Sequence, residues 1–158
     1  MAIVDTRIDD RLIHGQVCSF WIPEHKVDRI VIVDDDIAQD EMRKTALRFG
    51  CPPECKLSIF SSEKAAAKFL ANIDRGVNVM ILCNRPKPIL QMARSGYQVE
   101  YVTVGNMSTK PDAKQISKTV FVSAEEWNDF NGLVELGVPI FDQMIPTDAR
   151  NNITELFK

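Results

Sequence analysis

A short segment near the start of the chain combines the residue types that phosphoryl chemistry uses. Residues 7–17, RIDDRLIHGQV, hold two arginines, two aspartates and the first of two histidines in the 158-residue sequence. His14 is the candidate nucleophile, because neutral imidazole, with a pKa of about 6.5, keeps one unprotonated ring nitrogen near pH 7. Arg11 carries a planar guanidinium that can bind two phosphoryl oxygens. The segment therefore predicts a phosphoacceptor histidine with a cation beside it.

The other polar residues of the segment are expected to support this chemistry. Asp9 or Asp10 could accept a hydrogen bond from the second imidazole nitrogen and fix the tautomer, and Arg7 adds a further cation. A helix beginning near Gly15 would offer backbone N–H groups to an anion. A charge pair about 4 Å apart is worth about 4 kcal/mol at an effective dielectric of about 20, against about 0.3–1 kcal/mol from a helix N-terminus, so Arg11 should dominate.

The same residues also fit other interpretations. The four charged residues could form a surface ion-pair network, and His14 could be a polar residue at a helix start. A regulatory module phosphorylated on aspartate is a second hypothesis, because Asp34 and Asp35 follow a predicted strand. A non-catalytic domain that binds a small ligand is a third. Phosphohistidine is labile in acid and stable in alkali, whereas an acyl phosphate is lost in alkali. This difference in stability distinguishes a histidine carrier from a module phosphorylated on aspartate.

Motifs for several other reactions are absent from the sequence. GxxxxGK[ST], GxGxxG and GxSxG do not occur, which argues against nucleotide binding and serine hydrolysis. A net charge of −3 without a basic run argues against a nucleic-acid partner. The four cysteines form no CxxC pair, so we expect reduced, mostly buried thiols, no metal and no cofactor: Cys18, Cys51, Cys55 and Cys83.

Hydrophobic periodicity predicts one α/β domain over residues 1–158. Apolar, β-branched runs typical of buried strands occur at 2–7, 29–33, 56–60, 77–82, 99–104, 118–122 and 139–143. Helical segments separate most of them. We therefore expect a doubly wound domain, with a mostly parallel, twisted sheet of about seven strands and helices on both faces.

Capping signals locate the helices. Ser61 or Ser62 can cap SEKAAAKFLANI, and Ser123 with Glu126 forms a capping box before WNDFNGLVEL. Residues 34–36 can cap IAQDEMRKTALRF, which is predicted to be a single helix. The glycines expected at helix C-termini are Gly50, Gly96 and Gly137. The polar stretch 107–117 is expected to be a surface loop.

This architecture brings the candidate residues to one edge of the sheet. Ligands of open α/β sheets bind outside the carboxyl ends of the strands, where the loop 9–14 is expected to lie. Other loops there follow the second, fourth and fifth strands. The predicted phosphate-binding residues are Arg11, Asp10, Gly15, Gly105 and Asn106, with Arg7, Asp9, Asp34 and Asp35 in support.

Several segments together resemble a known family. RIDDRLIHGQV followed by Trp21, then VDDDIAQD at 33–40, VGNM at 104–107 and the closing IPTDARNNITELF occur in the same order as in the IIB subunits of the mannose/fructose/sorbose family of the sugar phosphotransferase system. The resemblance covers essentially the whole chain. It implies a carrier in which His14 accepts a phosphoryl group from a IIA partner and transfers it to a sugar held by the membrane subunits IIC and IID. Arg11 matches an arginine of the phosphate site.

The resemblance also sets expectations for partners and location. No signal peptide or membrane-spanning run is apparent, so we expect a cytoplasmic protein bound to the inner face of the membrane through IIC and IID. Phe20, Trp21 and Met107 are candidates for an apolar rim that contacts IIA, and His25 is expected to be exposed and dispensable. The identity of the sugar stays open, as does formation of a homo-oligomer.

Overall fold

A mostly parallel sheet forms the centre of the protein. The computed structural model describes residues 2–72 and 76–158, and within them the strands are β1 (Ala2–Asp9), β2 (Arg29–Val33), β3 (Lys56–Phe60), β4 (Asn78–Cys83), β5 (Val102–Asn106), β6 (Lys114–Ser117), β7 (Val120–Val122), β8 (Ile140–Asp142) and β9 (Asn151–Asn152). In this part of the chain the main sheet has seven strands in the order β3-β2-β4-β1-β5-β8-β9, and β9 alone among them runs antiparallel to its neighbour. The predicted fold class is confirmed.

Helices cover both faces of the sheet. They are a π-helical turn (Val17–Trp21) leading into α1 (Ile22–His25), then α2 (Asp35–Ala38), α3 (Glu41–Gly50), α4 (Ser62–Leu70), α5 (Lys87–Arg94) and α6 (Ala124–Glu135). Alternate residues of β2 and β4 point to opposite faces and enter two separate apolar clusters. One cluster packs against α4, α5 and α6, and the other against the first helical segment, α2 and α3. The strands are therefore buried on both faces, as their continuous apolar sequences predicted.

Three sequence predictions about strands and loops are wrong. The run 118–122 does not join the main sheet: its residues 120–122 form β7, which pairs antiparallel with β6 inside the stretch predicted to be a loop. Val120 and Val122 are buried and Phe121 is half-buried, the alternation of a strand with one covered face. β9 takes the seventh place in the main sheet instead. The fifth strand begins at Val102 rather than at residue 99.

The predicted helix caps are confirmed, but the segment predicted to be a single helix after β2 forms two helices, α2 and α3. Ser61 accepts a hydrogen bond from the Lys64 amide, and Ser123 and Glu126 form the capping box. IAQDEMRKTALRF is interrupted because Asp40 begins α3 with a cap of its own. Gly50 is the last residue of α3 rather than a residue beyond it.

The central strand β1 carries a buried arginine, Arg7, that fixes the position of the segment after β8. Arg7 is 1% exposed, and its guanidinium donates to the carbonyls of Gln143 and Met144 and lies 3.9 Å from the ring centroid of Trp21. Burial lowers the pKa of Arg7, while the carboxylate of Asp5, 3.5 Å away, opposes that change. Arg7 thereby connects β1 to the segment after β8 and to the first helix.

Gly105 is required where β5 passes this guanidinium. A Cβ atom at Gly105 would lie 2.6 Å from Nη2 of Arg7, which its two carbonyl acceptors prevent from moving away. We predict that Gly105→Ala destabilises the protein by about 1–3 kcal/mol, measured by urea denaturation. Gly15→Ala is the matched control, because no atom lies within 4 Å of its Cβ position, and it should leave stability nearly unchanged. Equal stability of the two variants would contradict the close approach of β5 to the Arg7 guanidinium at Gly105.

The cysteines are free thiols with suppressed reactivity. Burial raises the pKa of Cys55 to about 12 and raises that of the fully buried Cys83 as well. Since the thiolate is the reactive form, we predict that both resist iodoacetamide at pH 8, with Cys55 modified roughly a thousandfold more slowly than a free thiol. Mass spectrometry should find both alkylated once urea unfolds the protein. Rapid labelling of the native protein at either residue would refute this assignment.

Candidate functional site

The loop after β1 bends back on itself and places His14 beside the end of the strand. The Leu12 amide donates to the carbonyl of Asp9, and Leu12 has a φ of 57°. This left-handed conformation costs a residue with a Cβ atom about 1–2 kcal/mol. The side chain of Leu12 is fully buried in the cluster beneath the first helix, which offsets that cost. The loop is thus anchored by an apolar side chain, and its polar residues are left to form the site.

The hydrogen bonds of His14 define its tautomer. Nε2 lies 2.8 Å from Oδ2 of Asp9, and Nδ1 lies 3.2 Å from the backbone nitrogen of Gln16. A carboxylate can only accept and a backbone amide can only donate, so Nε2 carries the proton and Nδ1 carries the lone pair. The His14 side chain is 15% exposed. The imidazole therefore presents Nδ1 as its nucleophilic atom, at the first turn of the helix.

Asp9 also binds Arg11, through both atoms of its carboxylate. Nε and Nη2 of Arg11 donate to Oδ1 and Oδ2 of Asp9 at 3.1 and 3.0 Å, and Nη2 also donates to Oε1 of Gln16 at 2.8 Å. Asp9 is buried, whereas the Arg11 side chain is 38% exposed. The carboxylate thus positions the imidazole and the guanidinium together. Gln16 is a contact that the motif alone did not predict, although its place two residues after His14 puts it on the same helical turn.

Asp10 and Asn106 form a second group that ties the loop to β5. The side-chain amide of Asn106 donates to Oδ1 of Asp10 at 2.8 Å, and the backbone N–H of Ser108 donates to Oδ2 at 2.6 Å. The Asp10 amide in turn donates to the Asn106 carbonyl. Two residues predicted to bind phosphate are therefore bonded to each other. Gly15 is exposed at the helix start, and Gly105 lies against Arg7.

The aspartates after β2 make structural contacts in the described residues. Asp34 caps α2 and accepts a hydrogen bond from Nε of Arg85 at 3.1 Å. Asp35 accepts from the backbone and hydroxyl of Ser62 at the start of α4. None of these bonds reaches Asp9 or His14.

Most of the expected apolar rim is buried. Phe20 is 46% exposed, but Trp21 is 3% and Met107 0% exposed, because each packs into the core beside the sheet. The expectation that His25 is freely exposed is also wrong. Its ring stacks on Trp21, and Nε2 lies 3.7 Å from Oδ2 of Asp5.

Residues 2–72 and 76–158 contain neither a metal-binding cluster nor a membrane-spanning helix. No group of three or more His, Cys, Asp or Glu side chains there could hold a metal ion. No helix in those residues has the length and apolar character needed to cross a membrane.

Comparison with known proteins finds relatives along nearly the whole length of the chain. The fructose-specific EIIB component of Bacillus subtilis is 38% identical, over 100% of this chain and 97% of its own length. The sorbose-specific EIIB component of Klebsiella pneumoniae is 36% identical, over 98% and 94%. The mannose-specific EIIAB component of Escherichia coli is 31% identical, with 99% of this chain matching 48% of its length.

Solved structures agree with these relationships. The crystal structure of the IIB domain of the sorbose permease from Klebsiella pneumoniae superimposes with a TM-score of 0.89 at 36% identity, covering 98% of this chain and 95% of that one. Residues 3–158 match the family described as the PTS system sorbose subfamily IIB component. With its fold, its first-loop histidine and this match over nearly every residue, the chain belongs to the sorbose subfamily of IIB components of the sugar phosphotransferase system.

Proposed function

We propose that His14 is the phosphoryl carrier of this IIB component, accepting the group from a IIA protein and transferring it to a sugar. The observation that carries the proposal is the pair of hydrogen bonds on the imidazole, from Nε2 to Asp9 and from the Gln16 amide to Nδ1. Together they hold a neutral ring with an oriented lone pair. The family membership supports sugar phosphotransfer as the overall activity.

The transfer follows from this arrangement. The Nδ1 lone pair attacks phosphorus while the P–N bond to the donor imidazole breaks, and the electron pair of that bond returns to the donor nitrogen. Nε2 keeps its proton, so the positive charge that develops on the His14 ring faces the carboxylate of Asp9. The Gln16 amide, released from Nδ1, becomes a donor to a phosphoryl oxygen at the helix start. In the second transfer a sugar hydroxyl oxygen attacks phosphorus, the P–Nδ1 bond breaks, and the hydroxyl proton passes to a base at the sugar site.

Arg11 and Asp9 balance the charges of the phosphorylated state. A phosphoryl group beside a buried carboxylate alone would be repelled, but the guanidinium of Arg11 pairs with Asp9 and is partly open to solvent. In this proposal the N–H groups of Arg11 that do not bind Asp9 or Gln16 face the incoming phosphoryl group. Asp10 and Asn106 act by holding the loop against β5, and Arg7 and Gly105 by fixing the strand ends beneath it.

The proposed partners are a IIA donor and the membrane subunits IIC and IID, with the sugar held by the latter. The match of this chain to half of a relative named EIIAB supports a IIA donor. The related IIB domain from Klebsiella pneumoniae is part of a sorbose permease, which supports a membrane assembly. In this proposal the protein works in the cytoplasm at the inner face of the membrane.

The carrier assignment predicts a single phosphorylation site. After incubation with phosphoenolpyruvate, the general phosphotransferase proteins and the cognate IIA, mass spectrometry should place one acid-labile, alkali-stable phosphate on His14. His14→Ala should abolish sugar phosphorylation and leave the fold intact by circular dichroism. His25→Ala is the matched control and should retain transfer. Phosphate on His25 or on an aspartate, or full activity of His14→Ala, would overturn the assignment.

Arg11 tests whether geometry matters beyond charge. Lysine keeps the positive charge but cannot donate two parallel hydrogen bonds to Asp9. Without this pairing the cation would no longer be oriented toward the phosphoryl group, and losing one oriented donor to transition-state charge typically lowers a rate about 100- to 1000-fold. We predict that Arg11→Lys slows both gain of phosphate from IIA and loss to sugar by this factor in rapid-quench assays. Rates near those of the unchanged protein would show that charge alone suffices.

In-line transfer between two protein-bound imidazoles requires IIA to approach the first loop directly. We predict that addition of the cognate IIA changes the amide chemical shifts of residues 9–17 and 105–108, and of the exposed Phe20 on the first helical segment. Changes concentrated at the opposite, amino-terminal edge of the sheet would contradict this docking direction.

A further inference from the structure

The outward-facing side of α3 is apolar and uncovered. Met42 and Phe49 are 86% and 91% exposed, the highest values among the exposed large hydrophobic residues that the structure describes. They are seven residues apart, so they lie within about 20° of each other around the helix, with Thr45 and Ala46 between them. These four residues, called here the outer face of α3, line a shallow depression together with Glu41. A contiguous apolar surface of this kind, unlike a single exposed side chain, is typical of an interaction site.

The opposite side of α3 fixes the helix to the sheet. Leu47 is buried in the apolar cluster beneath the helix, and Nζ of Lys44 donates to the carbonyl of Ala38 at 3.2 Å. The outer face points away from these contacts, so the packing of α3 does not account for its apolar character. The Thr45 hydroxyl donates to the Glu41 carbonyl at 2.9 Å. Burial of the outer face by a partner would therefore leave no hydroxyl donor unpaired.

The charges beside the outer face are complementary to themselves. Glu41 and Arg48 are also seven residues apart, so they form a second stripe along one side of the apolar one, with the anion nearer the helix start and the cation nearer its end. The Glu41 side chain is 81% exposed, although its Oε1 accepts from Lys44 at 3.1 Å, and Arg48 is exposed. Antiparallel packing of two copies of α3 would bring each Glu41 to an Arg48. Parallel packing would bring like charges together.

The apolar pair and the charged pair fit the same antiparallel arrangement. With a twofold axis level with Thr45, Met42 of one copy lies within about 1.5 Å, measured along the helix, of the level of Phe49 of the second copy. Glu41 is offset from Arg48 of the second copy by the same amount. The small residues at the centre of the outer face permit the usual helix separation of about 8–10 Å. The exposure of the two large side chains shows that no described part of the chain blocks this approach.

We propose that the outer face of α3 binds a second copy of this chain, in an antiparallel, twofold-symmetric pair of α3 helices. Each helix has ten residues and is about 15 Å long, so the contact is smaller than the roughly 800 Å² per partner of a stable interface. The pair is therefore weak, with a Kd of roughly 0.1–1 mM. This inference goes beyond the carrier function, because none of the pairing residues belongs to the loop that holds His14.

The first test measures self-association of the whole chain between about 20 µM and about 1 mM, by sedimentation equilibrium and by amide chemical shifts on dilution. We expect a monomer–dimer equilibrium, with the concentration-dependent shifts centred on residues 41–50. Phe49→Ser should weaken self-association at least about 10-fold, because it removes the largest side chain of the contact. Leu70→Ser is the matched control. It removes another apolar side chain, 59% exposed on α4, and should leave the equilibrium unchanged.

Exchange of the charged residues tests the antiparallel register. Glu41→Arg and Arg48→Glu should each weaken self-association, because each variant places like charges opposite each other at both ends of the contact. An equimolar mixture of the two variants should pair again, because every cation of one then faces an anion of the other. Circular dichroism should show that both variants remain folded. Added salt should weaken pairing of the unchanged protein.

Several results would overturn the proposal. They are a monomer at the highest concentration, concentration-dependent shifts centred outside α3, equal effects of Phe49→Ser and Leu70→Ser, or a mixture of charge variants that pairs no better than its components. Shifts of residues 41–50 that only IIA or a membrane subunit induces would assign the outer face to that partner instead. His14→Ala should pair like the unchanged protein, so loss of phosphotransfer with intact pairing would count against the carrier assignment alone.

Discussion

The structure depends on a buried arginine between two buried aspartates on the central strand. Asp5, Arg7 and Asp9 alternate with Thr6 and Ile8, so the three charged side chains share the face of the sheet that the first helix covers. A buried guanidinium is tolerated only where it is well paired. Arg7 is held by two carbonyls after β8 and by the face of Trp21, and it therefore draws the end of the chain and the first helix to the same strand.

The two aspartates of this row, Asp5 and Asp9, have different partners. At the carboxyl end of β1, Asp9 is fully engaged, because it binds His14 and both donors of the Arg11 fork. At the other end, Asp5 is enclosed by cationic or titratable partners, with Nη1 of Arg7 at 3.5 Å and Nε2 of His25 at 3.7 Å. The first arrangement orients a histidine at the end of the strand, and the second offsets the charge of the buried Arg7. Both follow from one strand whose alternate residues are charged.

Local patterns were sufficient wherever neighbouring residues determine the conformation. The parallel strands were predictable because both faces of each are covered by helices, and the caps at Ser61 and Ser123 because a side chain bonds to an amide three residues away. Local patterns gave wrong predictions where strand pairing or an internal helix cap determined the structure. Residues 120–122 are as apolar as a central strand, but their hairpin with β6 keeps them out of the main sheet. Asp40 interrupts a helix whose apolar spacing looked continuous.

The sequence by itself determined the α/β class, the position of the first-loop histidine and the arginine three residues before it, because these depend on local periodicity and on motif spacing. Only the tertiary structure decided which polar residues act together. Asp9 rather than Asp10 binds the imidazole, because the left-handed turn at Leu12 brings His14 back to the strand end while Asp10 is taken by Asn106. Arg7 lies inside rather than at the phosphate site, because its acceptors are more than 130 residues away along the chain. Contacts at such separations arise from packing of the whole domain, and residue types near the histidine do not encode them.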